Sequence, residues 1–208
     1  MNIVVGIVDY GMGNLLSVQH ALEFLGADTA ILGNPRELER ADRLVLPGVG
    51  AFAEGIRRLR ETGLADALGE AATGRLVPIL GICLGMQLMA RRGFEGGARD
   101  GLGWFDGDVV RLPREAQSVR LPHVGWNEVS WRKESVLFRD LPPLADFYFV
   151  HSYHLECKDN RDVEAVCEYG IPFTAAVRKD NIFATQFHPE KSQDYGIRVL
   201  ENFLKWRP

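Results

Sequence analysis

Apolar residues come in two rhythms along this chain. In the first half, short unbroken runs alternate with stretches whose apolar positions recur every three or four residues. Ile3 to Val8, Thr29 to Leu32, Arg43 to Leu46 and Val77 to Ile82 are the runs. All four read as strands, and Ile3 to Val8, β-branched and without polar alternation, as one buried on both faces. Leu15, Val18, Leu22 and Leu25 are spaced for one helix face, with Gly26 as its stop. Further helical segments run from Phe52 to Arg60 and from Ala65 to Ala72, and Gly33-Asn34-Pro35 marks a turn. Strand alternating with helix predicts parallel strands joined by right-handed crossovers.

After Gly93 the rhythm changes. Phe94 to Gly107 is glycine-rich and loop-like. Val109 to Leu112, Glu128 to Trp131, Phe147 to Val150, Val163 to Tyr169, Thr174 to Arg178 and Ile182 to Phe187 read as shorter strands, a mixed or antiparallel extension of the same sheet. Arg111 to Arg120 reads as a surface loop. Lys191 to Trp206 closes the chain as an amphipathic helix, with Tyr195, Val199, Leu200, Phe203 and Leu204 on its apolar side. No repeat, low-complexity tract or linker interrupts the chain, so residues 1–208 read as one α/β domain.

Composition narrows the function classes. The 208 residues are 46% hydrophobic, enough for one substantial core. A net charge of −4 gives no electrostatic case for nucleic acid or an anionic membrane as partner. No apolar run is long enough to span a bilayer. The amino terminus lacks a basic region and a cleavage site and reads as a strand. Three cysteines, Cys83, Cys157 and Cys167, without C-x-x-C spacing form neither a disulfide framework nor a zinc site, and they fit a reducing cytoplasm. No metal and no cofactor is expected.

The most informative segment is Gly81-Ile82-Cys83-Leu84-Gly85, which follows an apolar β-prone run and opens a helix-prone one. This is the thiol form of the nucleophile elbow. A sharp strand-to-helix turn leaves no room beside the nucleophile, so glycine is wanted at 81 and 85. It would present Cys83 at the carboxyl end of a strand and the start of a helix, where N–H groups and the helix dipole favour the reactive thiolate.

A thiolate attacking a carbonyl needs a base to take its proton and return it to the leaving group. Among five histidines, His188 stands in Phe187-His188-Pro189-Glu190. Pro189 keeps His188 out of the α region. In an extended chain residues two apart share a side. Glu190 is therefore expected to accept a hydrogen bond from the His188 ring, fixing its tautomer and stabilising the imidazolium. His20 falls on a helix, and His123, His151 and His154 lack an adjacent carboxylate. An oxyanion needs two donors. The N–H of Leu84 follows the nucleophile, and the loop Pro47-Gly48-Val49-Gly50 can bring that of Val49 close.

Gly81 to Gln87 and Phe187 to Glu190, with Pro47-Gly48 upstream, resemble the triad-type class I glutamine amidotransferases. Asp9-Tyr10-Gly11-Met12-Gly13-Asn14-Leu15, Pro47 to Phe52, Phe149 to Tyr153, His123 to Asn127 and Lys191-Ser192 narrow the resemblance to the glutaminase subunits of imidazole glycerol phosphate synthase. The resemblance implies a flavodoxin-like three-layer fold, a central mostly parallel sheet with a mixed extension. It implies that Cys83 attacks the side-chain amide of L-glutamine to give a γ-glutamyl thioester, with His188 as proton carrier and Glu190 as its orienter. Gly50, Gln87 and the backbone at Ser152 would hold the substrate. It further implies a heterodimer with a (β/α)₈-barrel cyclase that consumes the ammonia, with Asn14, Trp126, Tyr153 and Lys191 at the interface.

Two other readings are open. A stand-alone γ-glutamyl hydrolase or cysteine peptidase would use the same fold and thiol without a partner. Gly11-Met12-Gly13 after the first strand opens like a dinucleotide fingerprint, but Leu16 stands where the third glycine belongs, so that pattern fails.

Overall fold

A computed structural model describes residues 4–113 and 120–207. Ile3 and most of the expected loop Arg111 to Arg120 lie outside the described residues. The first half alternates as its sequence predicts: β1 (Val4–Val8), α1 (Leu15–Phe24), β2 (Asp28–Leu32), β3 (Arg43–Gly48), α2 (Phe52–Glu61), α3 (Leu64–Gly69), β4 (Ile79–Cys83) and α4 (Leu84–Leu88). A short 3₁₀ helix, Pro35–Arg40, fills the turn before β3, and its first N–H groups are served by Asn34, whose side chain accepts from the Glu37 N–H. The second half contributes β5 (Ala90–Gly93), β6 (Arg99–Asp100), β7 (Phe105–Arg111), β8 (His123–Trp131), β9 (Leu144–His151), β10 (Tyr153–Cys157), β11 (Val163–Tyr169), β12 (Ile171–Lys179), β13 (Ile182–Thr185) and α5 (Gln193–Lys205).

The main sheet runs β2-β1-β3-β4-β13-β12-β11-β8-β9. Its first five strands are parallel, and the rest pair antiparallel. The expected mixed extension is therefore present, with one correction. The strand expected at Val109 to Leu112 is β7, and it leaves the main sheet for a separate one ordered β10-β7-β5-β6. The cause lies in packing: Phe105, Val109 and Leu155 alternate onto one face, which covers Leu84, Met86 and Leu88 of α4. The sequence also hid β5, β6 and β10. The run Ala90-Arg91-Arg92-Gly93 carries two arginines, and Arg91 and Arg92 both reach Asp108 on β7.

Alternate strand residues feed two cores. Val5, Ile7, Val45, Leu80 and Ile82 face α1 and α5, while Val8, Leu44, Leu46 and Ile79 face α2, α3 and α4. This double burial explains why β1, β3 and β4 show no polar alternation, whereas the edge strand β2 leaves Ile31 exposed. The result is a three-layer, flavodoxin-like arrangement. Helix α5 buries Val199, Leu200, Phe203 and Leu204 as expected, but Tyr195 is 41% exposed. It stands in the first turn of α5, just past the 3₁₀ turn Pro189–Lys191, and does not reach the core.

Two glycines fix the elbow, and they differ in rigidity. A Cβ on Gly85 would run into the Leu46 carbonyl oxygen, a backbone atom of β3. A Cβ on Gly81 would meet the end of the Met89 side chain at 2.8 Å and the Gly85 carbonyl carbon at 3.0 Å. Gly85→Ala is therefore expected to destabilise the fold by about 3 kcal/mol or more, at or beyond the upper end of overpacking costs, and Gly81→Ala by less because a flexible methionine gives way. Chemical denaturation of the two variants checks this; the opposite ranking would remove the close approach of α4 to β3 as the constraint.

Candidate active site

Cys83 ends β4 and precedes α4 with φ +54° and ψ −107°. A non-glycine residue held there stores roughly 1–3 kcal/mol of strain, and it persists only because the surrounding backbone leaves no alternative. The residue is 6% exposed. Its Sγ donates to the Val150 carbonyl at 3.8 Å and accepts from Gln186 Nε2 at 3.7 Å. A cavity of about 440 Å³ opens over it, and Val49, Gly50, Leu84, Gln87 and Ser152 all line it beside Cys83. All the expected oxyanion and substrate residues thus meet the nucleophile at one cavity. A larger groove, about 610 Å³, lies between Trp131, Phe138 and Leu141, and neither Cys83 nor His188 lines it.

His188 leaves β13 in an extended conformation, φ −98° and ψ 96°. Its Nδ1 lies 2.8 Å from Glu190 Oε1, with both side chains buried. The expected pair is formed, but by another route. The chain turns at Pro189 into a 3₁₀ helix, Pro189–Lys191, so a turn rather than strand alternation brings Glu190 to the ring. The His188 N–H donates to the Tyr148 carbonyl at 2.9 Å, and Ser192 Oγ donates to the His188 carbonyl at 2.6 Å. Ser192 also accepts from the Tyr148 N–H at 3.0 Å, which ties the histidine to β9. Ser192 was legible only as the residue after Lys191. With Nδ1 turned to Glu190, Nε2 is buried and free of any hydrogen bond. Burial pulls the His188 pKa down, but interactions with Cys83 and Glu190 outweigh it and bring it up to about 9. The imidazolium is thus the favoured form near neutrality.

The other buried histidines go the opposite way. Burial lowers His151 to about 3 and both His123 and His154 to about 4. They stay neutral. His151 nevertheless lines the cavity. Its Nδ1 lies 2.9 Å from the Tyr153 carbonyl, which can only accept, so Nδ1 carries the proton. Its Nε2 must then accept from His123 Nδ1 at 3.0 Å. His20 is exposed on α1.

Hydrogen bonds constrain two of the expected roles. The Val49 N–H is not a free donor: it donates to the Met12 carbonyl at 3.2 Å, because the β1–α1 loop brings the nearest acceptor to a closed turn. The N–H of Leu84, the first helical residue, has no acceptor within its helix. Gln87 is 5% exposed, and both its amide hydrogens are taken, by the Tyr153 carbonyl at 2.8 Å and Gln186 Oε1 at 3.1 Å. Only its carbonyl oxygen remains for a ligand. Glu95, which no motif marked, adds a carboxylate to the cavity wall; its Oε2 accepts from the Phe52 N–H at 2.8 Å, at the start of α2. Of the expected interface residues, Trp126 is 47% exposed and packs edge-on against Tyr148, whose ring also lies 5.9 Å from Lys191 Nζ. Asn14 is exposed before α1, with Nδ2 donating to Ser17 Oγ at 2.8 Å. Tyr153 lines the cavity, and its carbonyl holds both Gln87 and His151. Among the described residues, no group of three or more His, Cys, Asp or Glu is placed to hold a metal, and no helix is long and apolar enough to cross a membrane.

The geometry agrees with comparisons to known proteins. Residues 6–206 match the family model for glutamine amidotransferase class-I. The chain is 48% identical over 202 residues to imidazole glycerol phosphate synthase subunit HisH 1 of Campylobacter jejuni strain RM1221, covering 97% of this chain and all of that one. It is 46% identical over 199 residues to subunit HisH of Moorella thermoacetica, covering 96% and 93% of the two chains. In fold it superposes on the structure of PurLQS from Thermotoga maritima with a TM-score of 0.78 at 20% identity, covering 98% of each. With its cysteine elbow, its buried His–Glu pair and these full-length matches, the chain belongs to the class I glutamine amidotransferases and, within them, to the HisH family of imidazole glycerol phosphate synthase subunits.

Proposed function

We propose that this chain is the glutaminase subunit of imidazole glycerol phosphate synthase, and that Cys83, His188 and Glu190 carry its chemistry. The observation that supports this best is the strained Cys83 at the cavity floor beside an imidazole whose far nitrogen is held by a buried carboxylate. Cys83 Sγ attacks the amide carbon of glutamine, and its proton resides on His188. The tetrahedral oxyanion takes hydrogen bonds from the N–H groups of Leu84 and Val49. On collapse, His188 returns the proton to the departing nitrogen, and ammonia leaves a γ-glutamyl thioester. Acylation removes the Cys83 interaction that helped raise His188, so the ring is freed to act as base. It takes a proton from water, which attacks the thioester and releases glutamate and the thiol. Glu190 holds the ring through both steps. The Glu95 carboxylate is of the right sign for the substrate's α-ammonium, while Gly50, Gln87 Oε1 and the backbone at Ser152 shape the rest of the cavity.

Ammonia released into water is mostly ammonium and no nucleophile. The proposal therefore includes a cyclase subunit, a (β/α)₈ barrel that docks on Asn14, Trp126, Tyr153 and Lys191 and receives the ammonia under cover, in a reducing cytoplasm. Docking must also free the Val49 N–H from Met12, since an engaged donor cannot serve the oxyanion. The isolated chain is expected to release glutamate slowly, and the cyclase with its nucleotide ligand to speed it by at least about tenfold, the scale of ordinary allosteric coupling. Steady-state glutamate release with and without the partner decides; full activity alone would favour the stand-alone hydrolase.

Cys83→Ala is expected to abolish glutaminase activity while the complex still makes imidazole glycerol phosphate from added ammonium salts. Loss of both activities in an intact complex would overturn the division of labour.

The pH dependence follows from His188. Its raised pKa means the imidazolium persists from below 6.5 up to about 9 and is lost above that. In the free enzyme, kcat/KM is expected to fall on an alkaline limb near pH 9. Removing the carboxylate charge withdraws one of the interactions that raises the pKa, so Glu190→Gln should move that limb to lower pH as well as reduce turnover. A pH–rate profile of both proteins checks this, and an unmoved limb would take Glu190 out of the triad.

A further inference from the structure

Tyr10 carries the only side-chain hydroxyl that is buried without a hydrogen-bond partner among the described residues. Its ring follows β1 and crosses Gly48, the last residue of β3. A Cβ on Gly48 would run into Tyr10 Oη, and it would meet Leu84 Cβ at 2.8 Å and the Gly85 nitrogen at 3.0 Å. The hydroxyl is thus wedged between the residue that carries the peptide to Val49 and the first turn of the elbow helix. Tyr10 is only 3% exposed, so water does not reach it freely. A phenylalanine would fill the same space without burying an unpaired polar group, so packing gives no reason for the oxygen.

The proposed mechanism supplies one. The Val49 N–H donates to the Met12 carbonyl and must leave it to serve an oxyanion. That requires the Gly48–Val49 peptide to turn. A peptide is planar, so turning its N–H toward the cavity swings the Gly48 carbonyl to the other side. There it meets the Met12 carbonyl, another acceptor, and it needs a donor in a closed place. Tyr10 Oη is the unengaged donor next to Gly48. Burial, and then the charge of Cys83, push the Tyr10 pKa up, so the hydroxyl keeps its proton across the working range.

Resting on the function proposed above, we infer that Tyr10 is a positioning residue of the oxyanion site, whose hydroxyl receives the Gly48 carbonyl when the Gly48–Val49 peptide turns into its active orientation. The resting arrangement leaves that hydroxyl unpaired, and the active one pairs it. The residue thereby offsets part of the loss of the Val49–Met12 hydrogen bond.

The test is Tyr10→Phe in the assembled complex, with the cyclase subunit of the same organism and imidazole glycerol phosphate as its ligand. Glutamate release and thermal unfolding are measured beside the wild-type complex. The hydroxyl is worth one ordinary hydrogen bond, so stimulated kcat is expected to fall about threefold to tenfold with KM unchanged and the unfolding midpoint level or higher. Wild-type kcat in the variant would overturn the inference. A lowered midpoint would also overturn it, since it would mean that the hydroxyl already has a structural partner at rest. A wild-type complex without stimulated glutaminase activity would instead remove the functional reading beneath it.

Discussion

Between the carbonyl oxygen of Leu46 and the α-carbon of Gly85 there is no space for a methyl group, and none between Gly48 and the Tyr10 hydroxyl. These contacts hold the start of α4 against the end of β3, and much of the site follows from them. Because α4 cannot move off β3, the chain must pass from strand to helix within one residue. That residue is Cys83, at a positive φ that no β-strand or helix would choose. The strain is stored at the nucleophile and supported by the largest apolar cluster of that face, Leu44, Leu46, Leu84 and Leu88 against Phe52 and Phe105. β13 lies on the other side of β4, with Thr185 opposite Ile82, and so delivers His188 to the same end of the sheet. Two neighbouring parallel strands thus bring nucleophile and base together without any loop having to find its partner.

Burial alone does not decide what a histidine does here. His123, His151, His154 and His188 are all at most 6% exposed, yet three are held neutral and one is favoured charged. The difference is in the acceptors. Glu190 accepts from the His188 ring at 2.8 Å, and it and Cys83 interact with His188 so as to favour the cation. The ring of His123 lies between Phe149 and Tyr169, at 4.9 and 3.8 Å between centroids, and its nitrogens meet only neutral groups. Hydrogen bonds to neutral groups satisfy a neutral imidazole without stabilising its cation. The His123–His151 pair therefore acts as a rigid strut that fixes the Tyr153 carbonyl and, through it, Gln87.

The legible parts of the sequence were those in which one residue type solves a local problem. Glycines at 81 and 85 around a cysteine have few other uses at a strand end, and the apolar runs that became β1, β3 and β4 are buried strands. His-Pro-Glu was legible as a pair, although the turn that joins its members was not, because proline permits both an extended continuation and a 3₁₀ start. The small sheet was illegible for the opposite reason. Its strand β5 is half arginine, and its burial depends on Asp108, which becomes a neighbour only after folding. Glu95 and Ser192 belong to the same class: single polar residues whose meaning comes from the segments they touch across 43 and 44 positions of chain. Val49 was placed correctly beside the nucleophile, but the direction of a peptide N–H has no trace in side-chain pattern.

In the proposed mechanism, that direction is what a partner would control. The Val49–Met12 hydrogen bond is an ordinary backbone pair, worth about 0.5–1.5 kcal/mol net. A missing oxyanion donor raises a barrier by about 2.7–4 kcal/mol. A small ground-state interaction thus withholds a much larger transition-state one. A partner needs only a differential affinity of the size of the small term to release it, well within the roughly 1–3 kcal/mol that one binding site commonly communicates to another. Blocking the nucleophile or displacing His188 from Glu190 would require work against buried, hydrogen-bonded groups and a strained backbone. Turning one glycine-flanked peptide between Gly48 and Gly50 does not, since Gly50 already sits at φ +103° and lacks the side chain that would resist the rotation. The proposed triad is therefore held rigid and the proposed oxyanion loop is the part a partner could move at least cost.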